Sequence, residues 1–152
     1  SDISKICHNV CSALASKAQQ KGLQLTTQIQ DKVTCLADPQ RIEQLFINLL
    51  NNAILYTQQG GEIQVSLSQN AHSPVFEIND TLPSVPEEDC DKLFDPLYRQ
   101  STSRNRSAAG AGLGLTICKN IVIAHKGSIT ASPSTLGGLC ARVELRLTKD
   151  KI

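Results

Sequence analysis

Between Asp38 and Asp80 the apolar period of this chain changes from 3.6 residues to 2, and that change limits the fold more than any other feature. Asp38-Pro39 reads as an N-cap followed by proline at the first helical position. From there Ile42, Leu45, Phe46, Leu49, Leu50, Ala53 and Ile54 form one apolar stripe that runs to about Tyr56. "TQQGG" (Thr57 to Gly61) ends this helix. Glu62 to Ser68 then alternates strictly, with Ile63, Val65 and Leu67 on one face. Pro74 to Asp80 reads as the next strand, and "NAHS" between the two suits a hairpin turn. A striped helix and a one-faced hairpin can each bury what the other leaves apolar.

The same periods recur on either side. Ile3, Ile6, Cys7, Val10, Cys11, Leu14 and Ala18 predict an amphipathic helix that stops at Gly22. "LQLTTQI" (Leu23 to Ile29) alternates as a strand, and "VTCLAD" reads as a second short strand after a turn at Asp31-Lys32. "EEDCDKLF" (Glu87 to Phe94) reads as a short helix, and Leu113 to His125 as a longer one stopped by Gly127. "SITASP" and "LCARVELRL" read as strands joined through Gly137-Gly138. The strands come in adjacent pairs, so hairpins should dominate and a doubly wound parallel sheet is disfavoured. The expected fold class is α/β: one mixed, mainly antiparallel sheet with the long helices on one face.

The 152 residues suit one domain, residues 1–152, with a sizeable core. Only 3% are aromatic, with no Trp and no Met, so Leu, Ile, Val and Ala must fill that core. A net charge of +1 gives no reason to expect nucleic acid or an acidic membrane surface as a partner. No apolar run approaches the roughly 20 residues of a membrane span, and no signal peptide is visible. Six cysteines, at positions 7, 11, 35, 90, 118 and 140, include no CxxC pair and fit no zinc spacing. They read as small buried hydrophobes in a reducing compartment, with Cys7 and Cys11 on one helix face.

Three features could carry chemistry. Asn48, Asn52 and Tyr56 fall at four-residue steps, in a row beside the apolar stripe. Two amide oxygens one turn apart can both reach a hard cation or its waters, though a solvated flank gives the same pattern. Asp80 ends a strand, where a carboxylate can accept from an exocyclic amine or simply cap the next turn. Gly110, Gly112 and Gly114 follow the polar, basic stretch "RQSTSRNRSAAG", which reads as a mobile loop, and open a helix. Bare backbone at a helix N-terminus favours phosphate, and it also makes a hinge. Neither GxGxxG after a strand nor GxxxxGK[ST] is present.

Taken in order, these segments resemble the catalytic, ATP-binding domain of bacterial sensor histidine kinases, within the wider gyrase, Hsp90, histidine kinase and MutL superfamily. "DPQRIEQLFINLLNNAILYT" resembles its N box, "EINDTLPSVP" stands at its G1 box, "LFDPLYR" resembles its F box and "GAGLGLTICKNIVIAHKG" its G2 box. "LGGLCARVEL" resembles the last glycine turn and strand, so the likeness covers nearly all of the chain. Within the family, "YR", "SRNR", "GLGL" and the "GG" turn resemble an envelope-stress sensor.

The resemblance implies a two-layer α/β sandwich of the Bergerat type that binds ATP and Mg²⁺. It assigns Asn48 and Asn52 to Mg²⁺ and the phosphates, and makes them, with Arg99, the catalytic set. It places Tyr56 near the adenine, Asp80 on the adenine amine and Val85 in the base pocket. Residues Arg99 to Ala109 become a lid, and Gly110, Gly112, Leu113, Gly114 and Leu115 meet the phosphates. Asn48 stands where the hydrolysing members carry Glu, and an amide cannot act as a general base at neutral pH. That suits a kinase, which keeps its phosphoryl group for a protein and works by positioning and charge neutralisation.

The resemblance implies two partners: a dimerisation domain of the same kinase, which carries the phosphoacceptor histidine, and the receiver domain of a response regulator. His8, His72 and His125 lie in no H-[DE]-x-x-x-P pattern, so the chain alone is not expected to autophosphorylate. It is expected to be a monomeric fragment without membrane contact, cytoplasmic in a full-length inner-membrane homodimer. Leu82 and Ser84 stand where the G1 box usually has glycine, Leu55 where a Lys or Arg precedes the tyrosine, and Leu139 where Thr or Ser follows the last glycines. Charge lost at a phosphate costs on the order of 1–3 kcal/mol. These departures keep two alternatives open: a degenerate fold used as a protein-interaction module, and a superfamily ATPase.

Overall fold

The computed structural model describes residues 1–70, 73–81 and 116–145. Helix α1 (Ile3–Gln20) begins at Asp2, whose carboxylate accepts from the Lys5 N–H at 3.0 Å. Strand β1 (Gln24–Ile29) follows, then α2 (Pro39–Tyr56), β2 (Glu62–Asn70) and β3 (Ser73–Asp80). A helix, α3, covers 116–124 of the described residues, and β4 (Ser128–Pro133) and β5 (Leu139–Glu144) complete the order. The expected Asp38-Pro39 start of α2 is present, with Asp38 accepting from the Gln40 N–H at 3.0 Å. The short helix expected over 87–94 lies outside the described residues.

The five strands form one sheet in the order β1-β2-β3-β5-β4. The pairs β2–β3, β3–β5 and β4–β5 are antiparallel, and β1–β2 is parallel. The sheet is therefore mixed and mainly antiparallel, and the two later hairpins stand where the sequence puts them. The first expected pair does not form. "VTCLAD" is not a strand of the sheet; it makes one isolated bridge, Asp2 to Thr34. Its backbone groups go to the start of α1: the Ile3 N–H donates to the Val33 carbonyl at 2.9 Å, and the Val33 N–H donates to Ser4 Oγ at 2.9 Å. Val33 and Cys35 alternate because both are buried under α1. β1 pairs instead with β2, and α2 makes the crossover that a parallel pair needs.

One face of the sheet carries the core. Ile63, Val65, Leu67, Phe76, Ile78 and Val143 meet the α2 stripe, Ile3, Cys7, Val10 and Cys11 of α1, and Cys118, Ile121 and Val122 of α3. Phe46 of α2 stacks on Phe76 of β3 with ring centroids 4.0 Å apart, worth about 0.5–1.5 kcal/mol beyond the area buried. The other face is polar, with an Arg142–Glu77 ion pair at 2.9 Å across β5 and β3. Of the cysteines, 7, 11, 35 and 118 are buried free thiols and Cys140 is half-buried. At Gly127, between α3 and β4, a Cβ would strike the Glu144 carbonyl oxygen, so the α3 stop is also a steric requirement of the last hairpin.

Candidate functional site

Asn48, Asn52 and Tyr56 lie on one flank of α2, each half-buried, beside the fully covered Leu45, Leu49 and Ala53. Asn52 Oδ1 is buried and has no hydrogen-bond partner among the described residues. A buried amide oxygen left unpaired costs about 1–3 kcal/mol, so the folded chain carries this atom at a loss. Across from this flank the buried Cys118 thiol of α3 donates to the Leu45 carbonyl at 3.9 Å. Burial pushes the Cys118 thiol up to about 12, against the smaller opposing pull of Asn48. Burial also raises the Tyr56 hydroxyl above the usual phenol value.

Asn51 shares the type but not the treatment. Its Oδ1 accepts from Lys17 Nζ of α1 at 2.9 Å. Four residues further, at the C-cap of α1, Lys21 Nζ donates to the Ile54 and Leu55 carbonyls at 2.7 and 2.6 Å. These are last-turn carbonyls of α2, where a cation also meets the negative end of the helix dipole.

Asp80 ends β3 and is 2% exposed. Its Oδ1 accepts from the Leu139 N–H at 2.9 Å, and its carbonyl accepts from the Gly138 N–H at 3.1 Å. The last glycine turn therefore serves Asp80 with two backbone N–H groups.

The end of α2 and the end of β3 meet at Gly61. A Cβ there would lie 2.5 Å from Thr81 Oγ1 and 2.6 Å from Thr57 Cγ2. Thr81 Oγ1 also accepts from the Glu62 N–H at 2.9 Å, which ties the exit of β3 to the start of β2. The Asn52–Tyr56 turn and Asp80 are thus brought to one end of the sheet. Thr57 joins them with a fully buried Oγ1 that has no partner among the described residues. Sequence reasoning passed over Thr57 and Cys118, because a lone Thr after a helix and a Cys on an apolar face look structural. Val85, Arg99, Gly110, Gly112, Leu113, Gly114 and Leu115 lie outside the described residues.

The donor set fits a hard cation and a nucleotide. It offers a buried unpaired amide oxygen, a second amide one turn away and a buried carboxylate at the sheet end, with no thiolate or imidazole cluster among the described residues.

The chain belongs to the family of histidine kinase-, DNA gyrase B- and HSP90-like ATPases, whose pattern matches residues 37–149. It is 41% identical over 138 residues to the signal transduction histidine-protein kinase BaeS of Escherichia coli K12, covering 91% of this chain and 30% of that protein. It is 35% identical over 139 residues to the adaptive-response sensory kinase SasA of Nostoc sp. PCC 7120, covering 90% of this chain and 34% of that one. The chain therefore spans about a third of the length of these relatives. The solved catalytic domain of histidine kinase ThkA superposes with a TM-score of 0.85 at 25% identity, over 100% of this chain and 97% of that one. The two-layer α/β fold with helices on one sheet face is that of this family.

Proposed function

We propose that this chain, as a single unit over 1–152, is the catalytic, ATP-binding part of a sensor histidine kinase. It presents the γ-phosphoryl of ATP to a histidine on a separate dimerisation domain, from which the group passes to an aspartate of a response regulator. Support comes from the named kinases BaeS and SasA and from ThkA, which has been solved in complex with the response regulator protein TrrA. In the full-length protein this part is cytoplasmic, in an inner-membrane homodimer. Among the described residues no helix is long and apolar enough to cross a membrane.

The observation that carries the reading is the α2 flank: two amides, one with a buried unpaired oxygen, and no carboxylate among Asn48, Asn52 and Tyr56. Amide oxygens coordinate but do not take a proton at neutral pH, so the flank binds without activating water. Asn48 and Asn52 hold Mg²⁺, which when bound neutralises charge along the phosphates. Asp80 accepts from the adenine amine at the end of β3, and Tyr56 and Val85 pack near the base. Backbone N–H groups of Gly110, Gly112, Leu113, Gly114 and Leu115 meet the phosphates, and Arg99 offsets charge on the transferred group.

Calorimetric titration with ADP and with a non-hydrolysable ATP analogue, with and without Mg²⁺, tests this. Saturable binding that Mg²⁺ strengthens, lost in Asn52→Ala, is the expected result. No heat up to millimolar nucleotide would overturn it.

A further inference from the structure

We infer that Ser134 is a positioning residue for Asp80, and through it sets how strongly the site prefers a base with an exocyclic amine. The inference deepens the nucleotide-site reading above and rests on it.

The β3–β5 ladder ends at the pair Asn79 and Cys140. One step further, Asp80 is met by two neighbouring residues instead of one. The Gly138 N–H donates to its carbonyl at 3.1 Å, and the Leu139 N–H donates to its Oδ1 at 2.9 Å. In a regular antiparallel pair such bonds run from backbone to backbone. Two residues against one is the arrangement of a β-bulge, which re-aims a side chain. Here it turns the Leu139 N–H onto the Asp80 carboxylate. Asp80, Gly138 and Leu139 are all buried, so the contact is shielded from water.

This arrangement depends on the loop before it. β4 and β5 pair as far as Pro133 and Leu139, which leaves residues 134–138 to reverse the chain. Ser134 opens that loop and uses every polar group it has. Its N–H donates to the Gly138 carbonyl at 2.8 Å, and its carbonyl accepts from the Gly137 N–H at 3.0 Å. Its Oγ accepts from the Leu136 N–H at 3.0 Å. A backbone N–H can only donate, so the hydroxyl hydrogen remains for Asn79 Oδ1, also at 3.0 Å. Asn79 adjoins Asp80 in β3, so the hydroxyl ties the loop to the strand that carries the carboxylate. Thr135 and Gly137 are exposed, and a Cβ at Gly137 would meet nothing within 4 Å. Hydrogen bonds, more than packing, therefore shape the turn, and the turn decides which N–H reaches the Asp80 oxygen.

A carboxylate attracts a base amine and repels a base carbonyl. Its aim is therefore read by two nucleotides that differ at that group: ADP carries the amine, and inosine diphosphate carries a carbonyl. Ser134→Ala deletes the tie to Asn79, and Ser134→Thr keeps the hydroxyl. In hydrogen exchange of the nucleotide-free chain, the Leu139 N–H should exchange roughly three- to tenfold faster in Ser134→Ala, with Val143 of β5 unchanged. In calorimetry, ADP affinity should fall roughly three- to tenfold while inosine diphosphate affinity stays within about twofold. Ser134→Thr should restore both readings.

A preference for ADP that is unchanged in Ser134→Ala but lost in Asp80→Ala would overturn the positioning role and leave the nucleotide site standing. Equal losses for the two nucleotides would overturn it in favour of a loosened fold. A preference untouched by Asp80→Ala, or no nucleotide binding by the parent, would overturn both.

Discussion

The two flanks of α2 are built from the same residue types and treated in opposite ways. On the α1 side, Lys17 pairs with Asn51 and Lys21 takes the Ile54 and Leu55 carbonyls, so the polar groups named there are answered within the fold. On the other side Asn52 Oδ1 and, just past the helix end, Thr57 Oγ1 are buried and unanswered among the described residues. The satisfied asparagine and the orphaned one are adjacent in the chain. A fold keeps an unpaired buried polar atom at a cost, and on the flank of α2 itself Asn52 Oδ1 is the atom that a ligand completes, whereas Thr57 Oγ1 lies past the helix end and outside that contact.

The sharpest way to break this comparison is alkaline titration of stability. Cys118 stands at about 12 when folded, against 9.0 for an ordinary thiol. A raised folded value means stability that is complete below the unfolded pKa and is lost as pH climbs through the folded one. The parent should therefore weaken progressively from about pH 9 to 12, by up to roughly 4 kcal/mol at the alkaline end. Denaturant midpoints across that range should show a shallower slope in Cys118→Ala. Parallel slopes would mean the thiol is not held protonated against α2.

Next in size is Asn52→Ala, which should weaken Mg²⁺–nucleotide binding about 10- to 100-fold while the melting temperature holds or rises. A fall in melting temperature would show that Asn52 is a structural group after all. Thr57→Val tests the second orphan: exchanging a partnerless buried hydroxyl for a methyl should stabilise the chain by about 1 kcal/mol, with nucleotide affinity within threefold. Lost affinity would instead extend the ligand contact past the end of α2. The smallest effect belongs to Asn51→Ala, at about 0.5 kcal/mol of stability or less, with binding unchanged, because its bond to Lys17 is solvent-exposed. Any binding loss there would erase the distinction between the flanks.

Much of this was legible before the structure. The α2 stripe, its Asp38-Pro39 start and the two later hairpins follow from local period and capping, which do not depend on distant parts of the chain. So does the row of Asn48, Asn52 and Tyr56, since a four-residue step fixes the flank. "VTCLAD" misled because Val33 and Cys35 alternate for a reason outside their own segment: the start of α1 takes their hydrogen bonds. The parallel β1–β2 pair was equally out of reach, because pairing across α2 is decided by the whole sheet. Asn51 could be told from Asn52 only by meeting Lys17, 34 residues away. Cys118 gave no sign, because a thiol on an apolar face looks like any small hydrophobe.

Gly61 sets a tolerance for the site. With no methyl there, Thr57 and Thr81 close over the backbone and the last turn of α2 stands at a fixed gauge from the exit of β3. Any side chain at 61 acts as a shim between them. It would shift Asn52 relative to Asp80 while leaving every residue that names the site intact.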